Sequence, residues 1–288
     1  MQQMAEKTKV TLKGVAETLL ISLMGRAHDA ATQNPILGDL YAKEVMEKLD
    51  YNFDELPMSR DAAAGIALRT RIYDRWTEAF LAAHSHVTVL HLACGLDSRC
   101  QRVDWGSHVH WIDVDLPEAV ALRRQMLPTS LPGKDYQLID ADVTESTWQE
   151  AIPTDRPTLV VMEGLLSYLQ PEDGKRLLQR LVGGFGEGEL LFDCLNTVGL
   201  SASQKTHTVV SQTGNAFKWA IDDLKDIEDI HPKLKLLEVI RYLEAPGLEE
   251  LPFMLRFKYY IMSWIPGLAD AGRFVRFAFS DGARKVSR

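Results

Sequence analysis

From residue 87 onward, short apolar runs alternate with helical patterns, and few architectures accommodate that order. The runs are VTVLHLA (87–93), HVHWIDV (108–114), YQLIDADV (136–143), PTLVVMEG (157–164) and ELLFDCL (189–195). Between them lie LPEAVALRRQML and PEDGKRLLQRLV, each opened by a proline suited to a first helical turn, Pro117 and Pro171. Near-continuous apolar strands separated by helices predict an open, mostly parallel sheet covered on both faces. LKLLEVIRYL (234–243) and GRFVRFAFS (272–280) read as two more strands, a final pair at the sheet edge, with a helix between them that ends near Pro266.

Ahead of the first strand the period is helical. Residues 9–33 repeat apolar positions at helical spacing until Pro35, LYAKEVMEKL follows Asp39 as an N-cap, and 61–83 form a long helix. On that last helix Ile66, Ile72, Trp76, Ala79, Phe80 and Ala83 define the apolar face. No Gly/Ser/Pro linker separates this preface from the sheet, so 1–83 is read as a helical cap continuous with a core over 84–288. Residues 196–232 form an insertion on the substrate side of that core.

In such a sheet, ligands bind at the carboxyl ends of the strands, near the point where strand order reverses. Strand one ends in Ala93-Cys94-Gly95-Leu96-Asp97, strand two in Asp113-Val114-Asp115, strand three in Asp140-Ala141-Asp142-Val143, and strand four in Glu163-Gly164. A single acid there is as readily a helix cap or turn residue. Four successive ends carrying a glycine turn or an acid ask for a ligand. An acid after strand two suits ribose hydroxyls, and Gly95 lets backbone come close. The turn A-C-G-L-D lacks the G-x-G-x-x-G of a dinucleotide site, and no Lys-Ser pair marks a phosphate loop. A phosphate-free nucleoside with positive charge fits better, and S-adenosylmethionine is such a ligand.

Several stretches together resemble the leucine carboxyl methyltransferase family, which includes the tetracenomycin-type polyketide O-methyltransferases. VLHLACGLDSRCQRVDW is similar to its V-x-L-G-A-G-L-D-T-R-x-x-R-L stretch, and LRTRIYDRW to its R-T-R-x-x-D helix. HWIDVDLPEAVALRR, TLVVMEGLLSYLQPED and MGRAHDA with GDLYAKEV match further segments in order, over roughly residues 20–200. Ala93-Cys94 replaces the usual Gly-Ala, and Ser98 replaces Thr. The resemblance implies a class I S-adenosylmethionine-dependent methyltransferase: an α/β, Rossmann-like, seven-stranded, mostly parallel sheet with an N-terminal helical cap.

It also implies roles. Arg69 pairs with the cofactor's carboxylate, with Arg26 adding to that clamp. Ala93 and Gly95 form the turn under the methionine part. Asp115 takes the ribose position, with Asp113 as a second candidate. Asp142 and Val143 bracket adenine, and Glu163 stands near the cofactor's amino group. On the acceptor side the residues themselves, apart from the resemblance, offer Tyr168 to face the methyl group or to pack near the strand end, Phe217 and Trp219 to contact a flat apolar acceptor or to anchor the insertion to the core, and His28 and His207 as candidate bases. Arg99 is read as stiffening the turn. The expected activity is O-methylation of a carboxylate or phenol on a small, polyketide-like molecule, leaving S-adenosylhomocysteine. Carboxyl methylation of a protein C-terminus and a non-catalytic nucleoside-binding module are the alternatives.

Charge and composition set the remaining expectations. A net charge of −8 without a basic patch argues against a nucleic-acid partner. No run has the length of a membrane span, and MQQMAEKTKV has no apolar segment of signal type. Cys94, Cys100 and Cys194 fit no zinc spacing and read as reduced thiols, so no metal and a cytoplasmic location are expected.

Overall fold

The computed structural model describes residues 7–12, 17–56, 58–206, 217–251 and 253–281. Seven strands form one sheet: β3 (Val87–Leu92), β4 (Val109–Asp115), β5 (Asp135–Asp140), β6 (Thr158–Met162), β7 (Glu187–Leu195), β8 (Leu234–Arg241) and β9 (Gly272–Ser280). Two short strands, β1 (Thr8–Lys9) and β2 (Leu49–Asp50), pair apart from it. The order across the main sheet is β5-β4-β3-β6-β7-β9-β8. Only β9 runs against the others, since it pairs antiparallel with both β7 and β8. Strand order reverses between β3 and β6, which places a crevice at their carboxyl ends.

The helices are α1 (Leu19–Ala30), α2 (Leu40–Lys48), α3 (Arg60–Ala83), α4 (Arg99–Arg102), α5 (Pro117–Met126), α6 (Pro171–Gly184), α7 (Thr197–Thr206), α8 (Lys225–Glu228) and α9 (Phe253–Ser263). Their starts follow the expected chemistry. Asp39 accepts from the Ala42 N–H at the head of α2, Ser59 does the same from Ala62 for α3, and prolines open α5 and α6.

Both faces of the sheet are covered, and the pleat divides the core. Leu90, Leu92, Val160 and Met162 pack with Leu177, Leu178 and Leu181 of α6. Val87, Val89, Leu159 and Val161 pack with Ile72, Tyr73, Trp76 and Phe80 of α3. This two-sided burial is why β3 and β6 read as near-continuous apolar runs. A third cluster joins α1 and α2 to Leu96, Leu122, Met126 and Leu127, seating the N-terminal helices on the β3 turn and α5.

The structure corrects two local readings. The first helix begins at Leu19, not near residue 9, where Thr8–Lys9 pairs as a strand. On α3, Ala79 and Ala83 face water, while Tyr73 is fully buried. No helix among the described residues is long and apolar enough to cross a membrane.

Candidate active site

A cavity of about 930 Å³ opens at the crevice, at the upper end of the range for small-molecule sites, roughly 300–1,000 Å³. Its floor is made by the segments after β3, β4, β5 and β6. Leu19, Ser22 and Arg26 of α1 and Arg69 of α3 cover it from the other side.

The turn after β3 is unusual in its backbone. Ala93 has φ +53° and Gly95 φ +49°, so two of three consecutive residues are left-handed. Glycine does this freely, whereas alanine pays roughly 1–2 kcal/mol. The Gly95 N–H donates to Asp115 Oδ2 at 2.5 Å, and the Leu116 N–H donates to Oδ1 at 2.7 Å. Leu19 closes over the turn, so that a Cβ on Gly95 would stand 3.2 Å from the Leu19 Cβ. Ala93→Gly is therefore expected to leave the melting temperature unchanged or raise it, since relief of left-handed strain opposes the greater freedom of the unfolded chain. A clear fall in the melting temperature would show that the alanine methyl has a packing role.

Asp115 stands at the cavity edge. Burial pushes its carboxyl above the usual range, and the two backbone N–H groups pull the other way. It has no ion-pair partner among the described residues, so further hydrogen-bond donors from a ligand would favour its charged form.

Glu163 is the centre of a buried ionic network. Its Oε1 accepts from Arg69 Nε and Thr70 Oγ1, both at 2.9 Å, and its Oε2 accepts from Arg99 Nη2 at 2.5 Å. Burial alone would raise the carboxyl, but Arg69 and Arg99 outweigh it and hold it at about 2. Arg99, with no exposed side-chain surface, also reaches Asp74 Oδ1 at 2.7 Å and Asp97 Oδ2 at 3.3 Å. Its expected role in stiffening the turn agrees with these contacts. Arg69 keeps about a fifth of its side chain exposed and lies 3.9 Å from Asp193 Oδ2. Asp193 Oδ1 in turn accepts from the Gly164 N–H at 2.6 Å. Gly164, at φ +67°, lets the Arg69 guanidinium pass 3.6 Å from where a Cβ would be.

Of the residues singled out from sequence, Arg26, Arg69, Ala93, Gly95, Asp115, Asp142, Val143, Glu163, Tyr168 and Phe217 all line this cavity. Arg26 is already engaged: Nε pairs with Asp39 Oδ2 at 3.1 Å, and Nη2 donates to Leu96 O at 2.9 Å. Asp142 accepts from the Thr144 N–H and hydroxyl. Tyr168 and Phe217 lie ring to ring, with centroids 4.8 Å apart.

Three of the expected residues stand elsewhere. Asp113 is fully buried beneath the turn, held by Arg123 Nη2 at 2.5 Å, Trp111 Nε1 at 2.8 Å and Tyr136 OH at 2.8 Å. It is a core acid, not a cavity residue. Trp219 packs into the main core, where Gly174 makes room for its ring. His28 is on α1 outside the cavity lining. His207 lies outside the described residues.

Sequence reasoning missed Asp193, His91 and Arg273, which also line the cavity. Asp193 carries the same signal as the others, an acid near the carboxyl end of a buried strand. Among the described residues, no group of three or more His, Cys, Asp or Glu side chains is placed to hold a metal ion.

Comparison with known proteins agrees with this geometry. The sequence profile described as leucine carboxyl methyltransferase matches residues 19–182. The tetracenomycin polyketide synthesis O-methyltransferase TcmP of Streptomyces glaucescens is 36% identical over 270 residues, 94% of this chain and 98% of that protein. The S-adenosyl-L-methionine-dependent methyltransferase dpfgK of Gibberella zeae is 36% identical over 250 residues, 81% of this chain and 84% of that protein. Among solved structures, the magnesium protoporphyrin IX methyltransferase of Synechocystis, with bound S-adenosylhomocysteine, superposes with a TM-score of 0.50. It is 13% identical, and the match covers 89% of this chain and 99% of that one.

Proposed function

The chain belongs to the leucine carboxyl methyltransferase family, and on that premise we propose that it O-methylates a small, polyketide-like acceptor on a carboxylate or phenolic hydroxyl. It is an S-adenosylmethionine-dependent methyltransferase, as its relatives are. The observation that carries the site assignment is the pairing, within one cavity, of Asp115 at one strand end with the Arg69–Glu163 pair at another.

The residues present fit the cofactor. Asp115 would accept the ribose hydroxyls, and Asp142 and Val143 would flank the base. Arg69 would meet the amino-acid carboxylate, while Glu163 and Asp193 would face the ammonium. When bound, S-adenosylmethionine supplies a methyl group already joined to its leaving group. The protein's part is to align the acceptor oxygen and keep water out, and orientation of this kind can supply about 7–11 kcal/mol of a barrier. The helices α1 and α2, within residues 10–60, and residues 196–206 and 217–232 are the segments we assign to closing over the site; residues 207–216 lie outside the described residues.

A carboxylate acceptor is ionised near neutral pH and needs no base. A phenol, with a pKa of about 10, needs one within hydrogen-bond reach. His91 is the histidine that lines the cavity among the described residues; its Nε2 is engaged by Arg99 Nη1 at 3.1 Å, while its Nδ1, 3.5 Å from Asp113 Oδ1, makes no hydrogen bond. That engagement supports the carboxylate over the phenol.

Calorimetric titration with S-adenosylmethionine, S-adenosylhomocysteine and NAD tests the reading. Binding of both adenosyl ligands and none of NAD is expected. Asp115→Ala should weaken adenosyl binding by about 1.5–3 kcal/mol without loss of fold. An unchanged affinity in that variant refutes the ribose assignment.

A further inference from the structure

The cavity has two electrically distinct halves. Under the ends of β3 to β7 it is acidic, with Asp97, Asp115, Asp142, Glu163 and Asp193, the last paired across the ladder with Phe274. The arginines there are spoken for: Arg69 pairs with Glu163 and is assigned to the cofactor's carboxylate, and Arg26 pairs with Asp39. The other half is walled by Phe217, Tyr242, Tyr259, Met262 and Phe274, and its buried charge is Arg273 on β9; Asp173, which also lines the cavity, is paired with Arg176.

Arg273 is 7% exposed. Its Nη1 donates to the Asp222 backbone carbonyl at 3.2 Å and its Nη2 to the Ile221 carbonyl, while its Nε has no partner. These contacts position the guanidinium through backbone carbonyls, and among the described residues it forms no ion pair, although, after the Thr197 N–H and hydroxyl, its charge helps to lower the Asp222 carboxyl. The obvious counter-ion is turned away, because the Asp222 carboxylate accepts from the Thr197 N–H and hydroxyl. Cys194, opposite Arg273 in the ladder, is raised to about 12 by burial despite the arginine beside it, so it supplies no negative charge. Residues 207–216 contain no acidic side chain. Lys218, exposed and lining the same half, adds a second positive charge. A buried cation without a partner is costly, and a buried polar group left unpaired calls for an explanation. A ligand that brings the missing charge provides one.

We propose that Arg273 is a specificity-determining residue that reads the charge of the methyl acceptor, so that this half of the cavity takes an aromatic carboxylate in preference to a neutral analogue. Lys218 reinforces the field from the rim, and the aromatic walls take the flat apolar frame. The inference rests on the methyltransferase reading and deepens it, since it assigns the two signs of charge to two ligands: cationic cofactor to the acidic half, anionic acceptor to the basic half.

The test uses the full chain saturated with S-adenosylhomocysteine and titrated calorimetrically with anthraquinone-2-carboxylate or with its neutral methyl ester. The wild type should bind the carboxylate about tenfold or more tighter, the scale of one charge-assisted hydrogen bond. Arg273→Gln should bring the ratio close to one with S-adenosylhomocysteine affinity unchanged, and Arg273→Lys should keep most of the preference. Equal affinity of the wild type for the two probes, including no measurable binding of either, overturns the proposal. So does a preference that survives Arg273→Gln. If Arg273→Gln does not fold, the wild-type ratio and the lysine variant still decide. Failure of the wild type to bind S-adenosylhomocysteine strikes the methyltransferase reading instead.

Discussion

Glu163→Gln is expected to destabilise the protein by about 3–5 kcal/mol, the usual consequence of removing one partner from a buried ionic network. The amide keeps the shape but turns an N–H₂ toward groups that are all donors: Arg69, Thr70 and Arg99. Arg99 is left with Asp74 and Asp97, and Arg69 with Ser22 Oγ at 3.4 Å and the 3.9 Å approach to Asp193. Urea unfolding at pH 7 measures the loss. Its pH dependence gives an independent signature. The folded-state carboxyl, held at about 2, lies below the unfolded value of about 4.3. Its contribution is therefore complete above about pH 4.3 and disappears as pH falls towards 2. The gap between wild type and variant should close over that window. A gap that stays constant down to pH 3 would place the stabilisation in packing and not in the carboxylate. Adenosyl-ligand affinity should fall as well, because Arg69 and Glu163 line the cavity together.

Asp113→Asn should be almost as damaging to the fold, by about 3–5 kcal/mol, although Asp113 does not line the cavity. Its partner Arg123 is 1% exposed and also donates to the carbonyls of Gly95 at 2.9 Å and Asp97 at 2.6 Å. One guanidinium thus neutralises the core acid and holds the turn by its backbone. Loss of the acid frees Arg123 from its charge partner, so the turn should loosen and ligand affinity fall as a secondary effect. The measurement is urea unfolding with the slope unchanged, so that the midpoint reports stability. A variant within about 1 kcal/mol of wild type would mean that Tyr136 and Trp111, with the amide, replace the ion pair.

The contrast between Asp113 and Asp115 shows where sequence reading stopped. Both sit on β4 two residues apart, so they point to the same face of the sheet, but one lies about 6–7 Å deeper. Residue type and alternation are identical for the two; depth is set by where the β3 turn crosses and where Arg123 reaches in from α5. Trp219 has the same history. Its place in the core depends on the gap at Gly174, about forty-five residues earlier in the chain. Arg99 is another such case, since its partners Asp74 and Glu163 come from α3 and from the end of β6.

The legible part has an equally physical cause. β3 and β6 are sandwiched between helices, so every side chain is buried and the runs are mostly apolar, interrupted only by buried Thr88, His91 and Thr158. Strand ends open the same crevice whatever their neighbours, so the acids after β4, β5 and β6 could be placed together before any contact was known. The start of α1 is not legible in the sequence because Val10, which extends the helical period, instead packs against the N-terminal cluster from non-helical backbone.

The walls of the cavity run from Thr18 to Phe274 in the sequence. Almost no contact across it is local, so the cost of closing long loops has to be met before the site exists. Helices and adjacent strand pairs form sooner in chains of this kind, which makes binding competence the last property a refolding molecule acquires. A ligand that enters then ties together segments from both ends of the chain and stabilises the whole by mass action. Copies without ligand open more often and are the first to be lost to proteolysis. Abundance of the enzyme in a cell would then follow the supply of its methyl donor.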